Sequence, residues 1–354
     1  MLRGVVNGMQ QEAARGDEIV AKMLSDRYGI DMAEATLVPM GTETINRRVT
    51  LTDGRRAFIK QYQASADLEH AQAAWAMSEF CRAARVPAPR VWPNRDGRAL
   101  TRFEHVGWVV TDEVPGRVAT DPLTLPRAQH IGLMLGRMHR ALASYPPPAR
   151  VRQTRWRTGR VEDTLSETET TLDRAAAQRT PRLDQLRVDL AQRRDDLRTH
   201  VARLRAGLPD SLVAQAAHAD LTRTNLLAQE DVITAILDFQ GEICVLSWEL
   251  GRAAFDPRTV ANSQSWMLCA LRMIEAYRAE NPDLPLADVR ASARIALLYM
   301  LFSLYGATTA EYGLPTEAEA DLQRHWAERQ VTIRRLLGNL DALETALGTF
   351  GRGS

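Results

Sequence analysis

The sequence predicts an α+β chain of two lobes, a small β-rich lobe followed by a larger, mostly helical one with a helical insert. Three observations predict it. An Asp53-Gly54 turn sits between β-branched and aromatic residues, the strongest short hairpin signal. A strand-like stretch, GWVVTDEV, runs straight into the break Pro115-Gly116. Beyond that break almost every segment repeats its apolar residues at helical spacing.

The elements follow in order. Residues 9 to 28 read as an amphipathic helix ending near Gly29. From Leu37 the period changes, and strands are expected at about 45 to 52 and 56 to 62 around the turn. A helix follows from about Ala66 to Arg85, free of Gly and Pro, and stops before Pro87 and Pro89. Residues 98 to 114 supply two more strands. After the break, PRAQHIGLMLGRMHRALASY is a strong helix. Residues 146–209, rich in Arg, Glu, Asp, Leu and Ala and interrupted at Thr180-Pro181, read as two long antiparallel helices. A polar QED turn between LLA and VITAIL gives a short hairpin, and helices resume from about Ser247. The expected boundaries are a first lobe over 1–114 and a helical lobe over 115–354 with its insert at about 146–209.

Composition narrows the functional classes. With 354 residues, 45% of them hydrophobic, the chain can bury a large core. Lys plus Arg number 45 against 44 Asp plus Glu, so no excess charge favours nucleic acid or an anionic membrane. Cys81, Cys244 and Cys269 are too few and too scattered for a disulfide framework or a metal knuckle, which suits a reducing cytoplasm. The opening MLRGVVNGMQQEAARGDE has no apolar core of a signal peptide, and the run Ala293 to Leu304 is too short to span a bilayer. A cytoplasmic protein, monomeric or homodimeric, is expected.

One segment stands apart: HADLTRTN, a short hairpin, then DFQG. Asn225 enters the hairpin and Asp238 leaves it, so pairing would bring them to roughly 7 to 10 Å at about 3.3 Å per residue. An amide oxygen and a carboxylate there suit a hard cation such as Mg²⁺, which keeps most of its shell for water and phosphate. Asp220 faces the same space from the preceding loop.

This pattern resembles the catalytic loop and the DFG-type metal motif of the protein-kinase-like superfamily, most closely its aminoglycoside phosphotransferase branch, which includes choline and homoserine kinases. The HxDxxxxN motif stands here as His218, Asp220 and Asn225, and the following metal-binding Asp as Asp238. The resemblance implies a protein-kinase-like fold with the catalytic loop at 218–225 and the metal motif at 238–241. It implies that Asp220 accepts the hydroxyl proton, that Asn225 and Asp238 hold Mg²⁺, and that ATP (or GTP) is the phosphoryl donor. Lys60, in FIK, matches the Lys that grips the α and β phosphates. MGTETIN matches the first hairpin over the phosphates, with Gly41 and Thr42 to Asn46 as contacts. TDEVPG resembles the adenine-binding hinge, contributed by the Asp112 carbonyl and the Val114 amide.

The acidic partner of Lys60 is harder to assign. The family's spacing falls near Ala73 or Trp75, neither of which carries a carboxylate, so Glu69, one turn earlier on the same face, is the expected partner. His218 and His139 read as structural histidines, and Glu249, in SWELGRAAFDP, as a steadying group for the catalytic loop, one methylene longer than the family's Asp. The resemblance spans about residues 20 to 310 and implies phosphoryl transfer to a hydroxyl of a small molecule, an antibiotic or related natural product. A metabolite kinase for homoserine, choline or a sugar is the alternative, and a nucleotide-binding pseudokinase regulator a second. Between Arg150 and Arg205 there are 14 Arg against 9 acidic residues, which leans away from polycationic acceptors.

Overall fold

The Asp53-Gly54 turn sets the register of the sheet around it. Strand β2 (Thr44–Leu51) pairs antiparallel with β3 (Arg56–Tyr62), and Gly54 takes φ +83°, a left-handed turn position that a side chain would strain. On the other side of β3 lies β5 (Val106–Asp112), then β4 (Leu100–Phe103). An edge strand, β1 (Met32–Val38), completes the order β1-β2-β3-β5-β4. The sequence reading did not anticipate β1, because MAEATLV lacks the apolar alternation of a half-buried strand.

The structure, a computed structural model, describes residues 16–38, 44–180, 182–309 and 316–349. The chain divides into two compact units: residues up to Gly116 together with Thr234–Gln240, and Arg117–Ile233 together with Gly241 onward.

In the first unit the period of two assigns the faces of the sheet. Ile59, Trp108 and Val110 pack with Val20, Met23 and Leu24 of helix α1 (residues 16–28). Val109 packs instead with Ala71 of helix α2 (Leu68–Ala83), with Leu68 and Trp75 alongside. Lys60, next after Ile59, therefore lies on the α2 side. Asp67 caps α2 by accepting the amides of Glu69 and His70. The chain returns to this unit at Thr234–Gln240, where the Ile236 amide donates to the Pro87 carbonyl at 2.8 Å.

The second unit is mainly helical. Helix α3 (Leu125–Leu142) follows the short strand β6 (Arg117–Val118). The insert forms α4 (Arg155–Thr158), α5 (Val161–Ala177) and α6 (Leu183–Ala206), so the break expected at Thr180-Pro181 separates its two long helices. Strand β7 (Ala214–Ala217) pairs antiparallel with β10 (Glu242–Val245), β8 (Leu226–Gln229) pairs antiparallel with β6, and β9 (Val232–Ile236) begins in this unit and runs into the segment that belongs to the first. Then come α7 (Leu246–Ala254), α8 (Pro257–Asn262), α9 (Trp266–Glu280), α10 (Leu286–Phe302) and α11 (Thr316–Thr349). Two glycines bring α3 onto α9: a Cβ on Gly132 would strike the Met273 carbonyl, and one on Gly136 the Tyr277 carbonyl. Among the described residues no helix is long and apolar enough to cross a membrane.

Candidate active site

In the second unit the catalytic-loop motif joins β7 to a short 3₁₀ turn, Arg223–Asn225. Ala219 takes φ +67°, a costly conformation for a residue with a Cβ, and the surroundings hold it there. Its amide donates to Glu249 Oε1 at 2.6 Å, while Glu249 Oε2 meets His139 Nε2 at 2.9 Å. His139 Nδ1 in turn meets the Tyr277 hydroxyl at 2.9 Å, a contact that the close α3–α9 packing allows. Burial alone would raise the Glu249 carboxyl; the His139 hydrogen bond and the positive field of the two histidines outweigh it and leave the carboxyl below its usual range. Glu249 thus has the loop-steadying place expected of it. His218, fully buried, accepts the Asp220 amide on Nδ1 at 3.1 Å.

Asp220 is held on three sides. Its backbone amide is fixed by His218, its carbonyl accepts Asn225 Nδ2 at 2.9 Å, and its Oδ1 accepts Arg252 Nη1 at 3.1 Å. The Arg252 guanidinium lies over the rings of Trp248 and Tyr299, 4.8 and 5.3 Å from their centroids. Burial would lower the Arg252 pKa, but Tyr299 and Asp220 raise it above its ordinary value, and Arg252 reciprocally lowers that of the Tyr299 phenol. Arg223 anchors the turn from below, donating to the Ala119 carbonyl at 2.8 and 2.7 Å and to Thr259 Oγ1 at 2.7 Å.

Beside this cluster the second unit contains a cavity of about 740 Å³. The insert lines it with Arg152, Arg155 and Trp156, and the later helices with Trp248, Tyr299 and Tyr305. Arg252 therefore touches two of the cavity's aromatic walls and Asp220 at once.

In the first unit Lys60 forms an ion pair with Asp238, which takes φ +59°. Burial lowers the Lys60 ammonium to about 8. Asn46 faces Lys60 across the β2–β3 ladder. The Asp112 carboxylate is engaged by Arg90 at 3.0 and 3.1 Å and by the Trp92 indole at 2.5 Å, which leaves Asp112 only its backbone for a hinge contact. The Val114 amide has no hydrogen-bond partner among the described residues. Gly41 and Thr42 lie outside the described residues.

Glu69 does not meet Lys60. It is exposed in the first turn of α2, where its amide serves the Asp67 cap. Trp75 lies there instead, with Lys60 Nζ 5.9 Å from its ring centroid and its indole N–H donated to the Tyr62 hydroxyl at 2.8 Å. The counting that discarded Trp75 for want of a carboxylate overlooked the ring face as a partner for an ammonium. Arg252 and Tyr299 were also missed. For Arg252 the signal was its position four residues after Trp248, one helical turn along the same face.

Each unit carries one oxygen donor of the kind a hard cation takes: in the second, Asn225 commits its amide nitrogen to Asp220 and its Oδ1 has no partner among the described residues; in the first, Asp238 presents a partly exposed carboxylate beside Lys60.

Residues 34–244 match the profile of the phosphotransferase enzyme family, well over half of the chain. The chain belongs to that family. It is a small-molecule phosphotransferase with the protein-kinase-like fold. No curated protein sequence matches it. Its fold is similar to that of a spectinomycin phosphotransferase solved with ADP and spectinomycin, at TM-score 0.60 and 11% identity, covering 90% of this chain and 96% of that one. An amicoumacin kinase solved with AMP-PNP and Ca²⁺ aligns at 0.58 and 18%, covering 91% and 95%. A microcompartment-associated aminopropanol kinase aligns at 0.55 and 17%, covering 91% and 98%. At these identities the likeness is one of fold.

Proposed function

We propose that the chain transfers the γ-phosphoryl group of ATP to a hydroxyl of a small molecule bound in the cavity between the insert and the later helices of the second unit, and that this acceptor is an antibiotic or related natural product. The observation that carries the reading is the fixation of Asp220: a carboxylate held by Arg252, its backbone held by His218 and Asn225, next to a cavity of ligand size.

In this mechanism Asp220 accepts the acceptor's hydroxyl proton as the oxygen attacks the γ-phosphorus. The bond from phosphorus to the β–γ bridging oxygen breaks and ADP leaves. Arg252 and Asn225 fix the direction of Asp220, so the proton and the attacking oxygen meet it in one geometry. Lys60 exchanges its contact with Asp238 for the α and β phosphates, with Asn46 beside it and the Asp112 carbonyl and Val114 amide on the adenine edge. Asn225 and Asp238 are the residues that would offer oxygens to Mg²⁺, and the ion would supply charge neutralisation on the phosphates.

Intact Lys60, Asp220, Asn225 and Asp238 argue against a regulatory pseudokinase. A metabolite kinase would use the same residues, and the acceptor decides between the two. Incubation with ATP, Mg²⁺ and a panel of hydroxylated antibiotics and metabolites, with mass detection of a phosphorylated product, tests the reading. A phosphorylated antibiotic supports it; phosphorylation of homoserine, choline or a sugar alone selects the metabolite reading; no ATP consumption with or without any acceptor contradicts both.

A further inference from the structure

One face of α10 and the residue just beyond its end wall part of the cavity: Tyr299, Phe302 and Ser303, spaced i, i+3 and i+4, all line it. Close packing of α7 puts Arg252 beside that face. A Cβ on Gly251 would strike the Ser292 carbonyl, and Tyr299 lies two turns on from Ser292 along α10.

Several polar groups on the wall are already engaged. Arg155 holds Glu167 at 2.8 and 2.9 Å, Arg152 reaches Glu242 at 3.3 Å, and Ser303 Oγ accepts Arg329 Nη1 at 3.0 Å. The Trp248 indole N–H has no partner, but it is sealed from solvent. The Tyr299 ring is occupied too, with the Arg252 guanidinium 5.3 Å from its centroid and Trp248 edge to face at 5.7 Å and 81°. Its hydroxyl is not: on a half-buried side chain that lines the cavity, it has no hydrogen-bond partner among the described residues.

Arg252 also acts on this hydroxyl. Its charge draws the phenol below its ordinary pKa against the opposing effects of burial and of Asp220, and the same pull polarises the O–H bond toward donation. The guanidinium donates to Asp220 Oδ1 at 3.1 Å, so the open phenol and the carboxylate flank one cation. A molecule that presents a hydroxyl to Asp220 therefore passes the phenol, and the partner that a phenol O–H takes is an oxygen.

We propose, resting on the phosphotransferase reading above, that Tyr299 is a specificity-determining contact: its phenol donates a hydrogen bond to a second oxygen of the acceptor, a hydroxyl or carbonyl near the one that is phosphorylated, and so holds the acceptor beside Asp220.

The full chain is assayed with ATP and Mg²⁺ against kanamycin, uridine, homoserine and choline, with ATP consumption and product mass both recorded. Choline, with a single oxygen, is the control. The expected result is transfer to one of the first three with a kcat/KM above that for choline. Tyr299→Phe, which keeps the ring under Arg252 and removes only the hydroxyl, should raise KM for that compound about 10-fold while KM for ATP stays within about twofold. Tyr299→Ala, which also removes the platform under Arg252, should lower kcat as well. An unchanged acceptor KM in Tyr299→Phe makes the ring only a support for Arg252 and overturns the inference, as does an equal rise in KM for ATP. A preference for choline, or transfer to none of the four while ATP is consumed, overturns it too and leaves the phosphotransferase standing. No ATP consumption by the wild type overturns both.

Discussion

Arg252 Nη1 and Asp220 Oδ1 lie 3.1 Å apart, with the guanidinium spread over Trp248 and Tyr299. The contact links the carboxylate proposed to take the hydroxyl proton to two walls of the cavity proposed for the acceptor. Arg252→Ala should therefore lower kcat about 10- to 100-fold through misorientation of Asp220, with KM for ATP nearly unchanged. Arg252→Lys, which keeps the charge but loses the planar fork and its stacking, should recover only part of the rate. A rise in KM for ATP with kcat intact would place Arg252 outside the reaction.

Lys60 gives a pH prediction. Burial lowers its ammonium to about 8, and only the protonated amine can pair with phosphate. As pH rises through about 8 the free enzyme loses that charge, so kcat/KM for ATP should fall along a basic limb centred near 8. A profile that stays flat to pH 10 would contradict the assignment of Lys60 to the phosphates. Trp75→Leu removes the aromatic face beneath the ammonium and should weaken ATP binding by about 1–2 kcal/mol, read by calorimetry.

Glu249 is a stability prediction. Replacing it with Ala leaves the Ala219 amide and His139 without their buried acceptor, and should destabilise the protein by about 3 kcal/mol in urea unfolding. Its carboxyl is lowered in the folded state, so its stabilisation is present above the unfolded carboxylate pKa and fades as pH drops through the folded value. Glu249→Gln should keep much of the neutral-pH stability and flatten that acid loss; an unchanged acid limb would count against it.

Much of this was legible in the sequence because it is local. The Asp53-Gly54 hairpin appears as strands Thr44–Leu51 and Arg56–Tyr62, and the break-free stretch before Pro87 as the helix Leu68–Ala83. A turn type or a helix stop is decided by a few neighbouring residues. The surroundings of Lys60 were not legible: the choice between Glu69 and Trp75 depends on how α2 is rotated on the sheet, and Ala71, Val91 and Val109 decide that by packing over long sequence separations. The cavity was readable only in outline. The position of the insert suggested it, but its aromatic character arises from Trp156, Trp248 and Tyr299, which sequence spacing keeps far apart.

A further packing prediction concerns Gly132. Its hydrogen faces the Met273 carbonyl with no room for a methyl group, so Gly132→Ala should force α3 from α9 and cost about 1–3 kcal/mol. Because His139 lies two turns along the same helix, kcat should fall with the stability. Wild-type thermal stability in this variant would show that the interface tolerates the added carbon.

The central claim is that Asp220 is the proton acceptor in transfer from ATP. Single-turnover transfer of the γ-phosphoryl group to the acceptor identified by the product-mass screen, compared between wild type and Asp220→Asn with nucleotide affinity measured in both, tests it most directly. The account predicts unchanged ATP affinity and a rate lower by about 10²- to 10⁴-fold in the variant. An equal transfer rate in the two proteins would contradict it.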